Sequence, residues 1–136
     1  MMASRGFEEV AHTADVALRV WAEDLPSLFA EAALGMNSLA GVRLAPSPRI
    51  RRTYKHAAAD KESLLVAFLS ELVFNQENEN LGWDAFRIRL EDSGLEVQMA
   101  GAALASVAKP IKAVTFHNLH ISQTARGYEA ELVFDV

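Results

Sequence analysis

The chain contains no cysteine among its 136 residues. This absence excludes disulfide bonds, zinc sites with thiolate ligands and catalysis by a thiol, so any bound metal must be held by oxygen atoms or imidazoles. Long apolar runs are also lacking. No stretch approaches the roughly 18 uncharged residues that a membrane-spanning helix needs, and residues 1–10 lack the apolar segment of a signal peptide. We therefore predict a soluble cytoplasmic protein.

The sequence signatures of several common enzyme classes are missing as well. The chain has no Gly-rich phosphate-binding loop, no Gly-x-Ser-x-Gly nucleophile elbow and no dinucleotide-binding fingerprint. Positive charge is scarce too, because 13 Lys and Arg residues face 18 Asp and Glu residues, which gives a formal net charge of −5. Nonspecific affinity for nucleic acids comes from clustered Lys and Arg. We therefore expect the protein to act on RNA only indirectly, through another protein.

The residues that are present predict one ordinary globular domain that spans residues 1–136. Hydrophobic residues make up 51% of the chain and charged residues 23%, proportions that favour a packed core over disorder. The length is sufficient for one sizeable core and short for two.

Apolar residues at helical spacing predict two helices. Asp24 is suited to cap the first helix, which is expected to end at Gly41. The second helix is predicted to begin at Asp60 and to extend to about Phe74. The amide-rich residues 75–80 then predict a polar exit loop.

Period-two alternation predicts several strands around these helices. The predicted strands lie at residues 7–10, 16–21, 49–57, 86–90, 95–99, 119–124 and 128–135. Residues 102–108 are small and apolar, and the pattern leaves open whether they form a flexible loop or a short helix. The order lacks the regular alternation of a doubly wound parallel sheet. We therefore predict an α+β domain with two helices packed on one face of a largely antiparallel sheet.

Two carboxylates are predicted to lie where strands end. Asp15 follows an interruption between the first two strands, and Asp135 ends the last one. If the first and last strands pair, the two acids come together and repel each other unless they share a cation or a proton. Oxygen ligands favour Ca²⁺, Mg²⁺ or Mn²⁺. The structural alternatives are a turn residue that binds its own backbone and an exposed acid near the end of a strand.

Lys112 and the histidines are weaker candidates. A lysine near two carboxylates can bind a phosphate, an acidic partner or the carboxylates themselves, whereas a solvated surface lysine is the ordinary alternative. His117 and His120 are three residues apart, which on a strand directs them to opposite faces and makes them poor joint metal ligands. Neither His12 nor His56 has a zinc-site spacing.

The only basic run consists of Arg49, Arg51, Arg52 and Lys55. On an extended strand, Arg49, Arg51 and Lys55 share one face, which is suited to RNA phosphates or to an acidic protein surface. We favour the interpretation that this run is a solubilising edge, because basic residues there also discourage sheet-to-sheet aggregation.

Three short sites resemble the archease family. They are residues 12–15 (His-Thr-Ala-Asp), residues 112–117 (Lys-Ala-Val-Thr-Phe-His) and the final Asp-aliphatic pair, Asp135 and Val136. Residues 20–33 and 62–72 also resemble the family's first strand and helix and its second helix. Two departures occur. Ala17 stands where the family commonly has Gly, and residues 102–108 are less polar than usual.

The resemblance implies an archease-like α+β sandwich and a role as an accessory protein that is not itself an enzyme. That role is to activate an RtcB-type RNA ligase, which uses GTP and Mn²⁺, by promoting its guanylylation and multiple turnover in tRNA splicing or RNA repair. The residues implied in binding a divalent metal such as calcium are Asp15, Asp135, Val136 and His12, and Lys112 is implied to be functionally required. Two rival functions stay open. One is a small metal-dependent phosphoester hydrolase that uses the acids and Lys112, and the other is a general RNA or protein chaperone that acts through the basic run.

Overall fold

Two helices and nine strands make up residues 4–10 and 15–136, the part of the chain that the computed structural model describes. In chain order the elements are β1 (Gly6–Val10), β2 (Val16–Ala22), α1 (Leu25–Ala40), β3 (Val42–Leu44), β4 (Ile50–Ala57), α2 (Lys61–Glu79), β5 (Leu81–Glu91), β6 (Gly94–Val107), β7 (Ala113–Thr115), β8 (Ser122–Thr124) and β9 (Gly127–Asp135). Neither helix is long and apolar enough to cross a membrane.

The strands form two sheets in which every pairing is antiparallel. In the first sheet, the order is β1-β2-β9-β7, and β8 also pairs with β9. In the second sheet, the long strand β6 pairs with β3, β4 and β5. The predicted α+β class with a largely antiparallel arrangement is confirmed, although the strands divide between two sheets.

Local capping sets the start of both helices. The Asp24 side chain accepts a hydrogen bond from the backbone N–H of Ser27 at 2.8 Å, and this bond lowers the pKa of Asp24. Asp60 caps α2 in the same way, through the backbone N–H of Ser63 at 2.7 Å. Gly41 ends α1 with a φ of 63°, a conformation that glycine adopts without the steric penalty of a Cβ. The predicted helix starts and the end of α1 are confirmed.

The core lies between the helices and the two sheets. A row of three aromatic rings runs from the core to its edge, with one ring from each helix and one from the second sheet. Phe29 stacks on Phe68 with 6.3 Å between ring centroids, and Phe68 meets the edge of Phe86 at 5.6 Å. Leu18 and Leu132, from paired strands of the first sheet, belong to the same buried cluster. Burial of these side chains supplies the main driving force for the fold.

The prediction that α2 ends near Phe74 is wrong, because the helix continues to Glu79 and ends at Asn80 with a φ of 55°. The physical reason is Asn75, which is fully buried. Its side-chain amide donates to Glu79 at 2.7 Å, and its oxygen accepts the indole N–H of Trp83 at 2.8 Å. Asn75 therefore forms hydrogen bonds both within α2 and with the second sheet. The residue type alone does not predict these bonds.

The same network reaches the basic run. Arg52 makes two 2.9 Å hydrogen bonds to the carboxylate of Glu79, and they lower the pKa of that acid. The Arg52 guanidinium also lies 5.4 Å from the centre of the Trp83 ring. Arg52 thus tethers β4 to the last turn of α2.

Replacing Asn75 with alanine is expected to lower the free energy of unfolding by about 1–3 kcal/mol, because the buried indole N–H of Trp83 loses its acceptor. Urea denaturation followed by tryptophan fluorescence measures the change. Asn78→Ala is the control, since that exposed side chain bonds only a carbonyl of its own helix, and its effect is expected to stay within about 0.5 kcal/mol. Equal, small effects of the two substitutions would contradict the importance of the buried network.

Residues 102–108 are neither the loop nor the helix that the sequence left open, because β6 runs through Val107. Small side chains let this strand pass close to β5, where Gly101 pairs with Trp83 and Ala102 pairs with Gly82. The short strand β3, which the sequence did not predict, pairs with the end of β6. Alanine and glycine hide the strand alternation from a pattern based on hydrophobicity.

Candidate functional site

The start of β2 and the end of β9 meet at one end of the first sheet. Val16 pairs with Phe134, and Ala17 pairs with Val133. The pairing stops one position before both acids, so Asp15 and Asp135 flank the same end of the β2–β9 pair. The two acids that sequence analysis singled out are therefore brought together, although 120 positions separate them in the chain.

Lys112 lies on the other side of Asp135, just before β7. Its backbone N–H donates to the carbonyl oxygen of Asp135 at 2.8 Å, and the next residue, Ala113, pairs with Asp135. Asp135 thus lies between Asp15 and Lys112 at the ends of three neighbouring strands. We call Asp15, Lys112 and Asp135 the sheet tip.

The sheet tip is polar but stands on a rigid apolar base. Lys112 and Asp135 are exposed and Asp15 is half-buried, whereas the adjoining Ala17 and Phe134 are both fully buried. None of the three charged side chains forms an ion pair with a residue that the structure describes. Two carboxylates and one ammonium group leave the tip with a net negative charge that can attract a cation.

The remaining predicted metal residues contribute less to this geometry. His12 lies outside the described residues. Val136 is half-buried and packs its side chain against the core, so it anchors the end of β9. In residues 4–10 and 15–136, no group of three or more histidines and acids is arranged to hold a metal ion.

The histidines after β7 lie in a loop and a turn. His120 is exposed, with Nδ1 3.7 Å from the carboxylate of Glu62 in α2. His117 is also exposed and lies in a turn. The strand geometry from which their spacing was judged is therefore not present at these two positions.

Phe116 is a surface feature that sequence analysis did not single out, because it appeared there only within the motif at residues 112–117. The residue is 57% exposed, yet two hydrogen bonds hold its backbone and that of its neighbour. The Thr115 hydroxyl donates to the carbonyl of Val133 at 3.0 Å, and the Phe116 carbonyl accepts the backbone N–H of Leu119 at 3.0 Å. Strand β7 is therefore followed directly by an exposed aromatic side chain on a hydrogen-bonded turn. Such a side chain is a suitable anchor for a protein partner.

Most of the predicted basic run is neutralised. Arg49 forms a bidentate pair with Asp84, with distances of 2.6 and 3.1 Å, and Lys55 lies 3.4 Å from Glu96. With Arg52 turned towards α2, Arg51 is the member of the run that lacks an ion pair with any described residue. A continuous phosphate-binding surface along β4 is therefore not present.

Comparison with known proteins gives a consistent result over nearly the whole chain. Residues 7–136 match the sequence model of the Archease protein family (MTH1598/TM1083). Among similar proteins, "Protein archease" of Methanosarcina mazei is 32% identical over 147 residues and that of Methanosarcina barkeri is 30% identical over 147 residues. Each alignment covers 99% of this chain and 100% of the relative.

Two solved structures share the fold. One is the solution structure of Methanobacterium thermoautotrophicum protein 1598, with a TM-score of 0.71 and 26% identity over 96% of this chain and 99% of that one. The other is a crystal structure from Thermotoga maritima, described as "an archease, possible chaperone", with a TM-score of 0.69. It is 21% identical and covers 95% of this chain and 96% of that one.

Proposed function

Because this chain belongs to the archease family, we propose that it is an accessory protein that activates an RtcB-type RNA ligase. Activation consists of promoting the ligase's guanylylation and multiple turnover, in tRNA splicing or RNA repair in the cytoplasm. The observation that supports this proposal is the sheet tip, where Asp15, Lys112 and Asp135 lie together at the ends of β2, β7 and β9.

The geometry of the tip favours docking over catalysis within this chain. An active site usually excludes water, so that charges act in a low dielectric. Lys112 and Asp135 are instead exposed at the end of a sheet. Such a projecting charged tip is suited to enter a concave site on another protein. Phe116, on the fixed turn that follows β7, offers an apolar contact for the same partner.

We propose that the tip holds a divalent cation with oxygen ligands, which is Ca²⁺, Mg²⁺ or Mn²⁺. The residues fit such an ion, because Asp15 and Asp135 lie at the same end of the β2–β9 pair and neither carboxylate is neutralised by an ion pair with a described residue. Two carboxylates are too few for a complete shell, so backbone carbonyls, water, His12 or the partner's groups would supply the rest. When bound, the ion supplies positive charge that stabilises phosphate oxygens. Lys112 adds a second positive group beside it.

The proposal is tested by the rate at which purified ligase becomes guanylylated in GTP and Mn²⁺, with and without this protein. We expect the protein to raise this rate and to allow each ligase molecule to join more than one pair of RNA ends. Unchanged guanylylation and a single turnover in the presence of folded protein would refute the proposal.

A parallel assay without ligase distinguishes the rival enzyme. A metal-dependent phosphoester hydrolase would cleave a generic phosphodiester by itself, using the same acids and Lys112. We expect no such cleavage in the presence of Ca²⁺, Mg²⁺ or Mn²⁺. Hydrolysis that disappears in an Asp135→Asn variant would favour the hydrolase instead.

A further inference from the structure

The outer face of the second sheet carries an excess of positive charge on a chain whose net charge is −5. Its cations come from β4, from the residue just before β4 and from β5, and its carboxylates come from β5 and β6. The five cations are Arg49, Arg51, Lys55, Arg87 and Arg89, and the three carboxylates are Asp84, Glu91 and Glu96. Local charge on this face therefore has the opposite sign to that of the whole molecule.

Two of these five cations have no ion-pair partner among the described residues. Glu96 lies 3.4 Å from Lys55 and 2.6 Å from Arg89, and Arg49 is held by Asp84. Arg51 and Arg87 form no ion pair with any residue in the described part of the chain. Both side chains are exposed, so both guanidiniums are available to a ligand.

Arg51 and Arg87 flank one shallow hollow of about 570 Å³. Arg51 lies opposite Ala100, which pairs in turn with Ala85, and Arg87 lies opposite Gln98. A β-bulge at Asp84 shifts the register of β5 beside the hollow, and the two alanines make its floor shallow. With strands about 4.8 Å apart, β4 and β5 lie about 10 Å from each other across β6. Two arginine side chains can therefore engage one extended ligand lying between them.

We propose that this hollow binds the phosphodiester backbone of a single-stranded RNA segment, with Arg51 and Arg87 on the phosphates. The planar guanidinium donates two parallel hydrogen bonds to a phosphate. Thr53 and Gln98, which also line the hollow, supply donors and acceptors for ribose hydroxyls. Among the residues that the structure describes, none places an aromatic side chain on the outer face to stack bases, so binding is independent of sequence.

The lining favours RNA over an acidic protein. Protein interfaces depend on large apolar or aromatic anchors that fill pockets. The outward-facing residues of this hollow are two alanines, a threonine, a glutamine and two arginines, which offer charge and hydrogen bonds but no such pocket. This contact goes beyond the proposed activation of a ligase, because it places RNA directly on this chain.

The test is fluorescence anisotropy of a labelled, mixed-sequence single-stranded RNA titrated with the full chain alone, in EDTA, at a series of salt concentrations. Two phosphate contacts predict a slope of log K against log salt of about −1.4, which is roughly a sevenfold loss of affinity between 50 and 200 mM salt. In Arg51→Gln/Arg87→Gln, we expect binding at low salt to fall by about tenfold and the slope to approach zero. The control is Arg126→Gln, which removes one charge from the exposed turn between β8 and β9 and is expected to behave as the unmodified chain.

Three results would overturn the proposal. One is the absence of RNA binding by the unmodified chain at low salt, and another is an equal loss per charge in the Arg126→Gln control, which would indicate diffuse attraction. The third is preferential binding of a poly-glutamate peptide over RNA, which would assign the face to an acidic protein. Because no ligase is present, failure here leaves the guanylylation result unaffected, and failure of ligase activation leaves this result unaffected.

Discussion

Replacing Asp15 or Asp135 with asparagine is expected to abolish ligase activation while leaving the fold intact. Asparagine keeps the shape of the side chain but removes one negative charge from the sheet tip. A cation held by two carboxylates should lose more affinity than the roughly 10- to 100-fold that loss of a residue outside the ligand shell typically costs. Calorimetric titration with Mn²⁺ or Ca²⁺ measures that affinity, and the guanylylation assay measures the functional effect.

The matched control for this experiment is Glu131→Gln. Glu131 is an exposed carboxylate on the same strand as Asp135. It lies away from the tip, at the backbone position opposite Arg19 of β2. We expect this variant to bind metal and to activate the ligase as the unmodified chain does. Full activation by both tip variants, with circular dichroism confirming that they are folded, would eliminate the metal-bearing tip.

Replacing Gly101 with alanine is expected to destabilise the protein by about 3 kcal/mol or more, because the added methyl group meets backbone that has little room to move. A Cβ at this position would lie 1.8 Å from the carbonyl oxygen of Gly82 and 2.9 Å from the Cα of Trp83. Relief would require β5 and β6 to separate at the centre of the second sheet. The free energy of unfolding in urea measures the cost.

Gly94→Ala is the comparison for this substitution. Gly94 lies in the same strand, and a Cβ there would meet only the carbonyl oxygen of Glu91 at 3.3 Å. We expect a clearly smaller loss of stability than at Gly101. Similar stabilities of the two variants would show that β5 adjusts around position 101, and that close approach of the strands is not what requires glycine there.

Features of the fold with a local cause were predictable from the sequence. Asp24 and Asp60 begin helices because their side chains bind backbone N–H groups three residues later, and Gly41 ends a helix through its own conformation. Features with a distant cause were not predictable. Asn75 is buried within α2, where Trp83 on a neighbouring strand donates to its oxygen.

The candidate site divides in the same way. Asp15 and Asp135 were predicted to come together because acids at the ends of two paired strands lie at one edge, and the β2–β9 pairing ends one position short of both acids. The four residues of the basic run do not form one positively charged surface, because carboxylates from other strands neutralise Arg49 and Lys55. Arg87 acquires its relation to Arg51 only through β6, which pairs with both of their strands. Ion pairs between strands decide which charged side chains can bind a ligand. The order of residues in the sequence does not show which strands become neighbours.

The central position of β9 in the first sheet has a consequence for how the protein is made. This strand pairs with β2, β7 and β8, yet it follows all of them along the chain. During synthesis, β2 can pair with β1 early, but its other edge has no partner until more than a hundred later residues have emerged, a separation that slows closure of the sheet. The sheet tip comes into existence only with that final pairing. A chain released early, or one cut before residue 127, would lack the tip altogether, so an incomplete copy could not compete for the tip's binding partner.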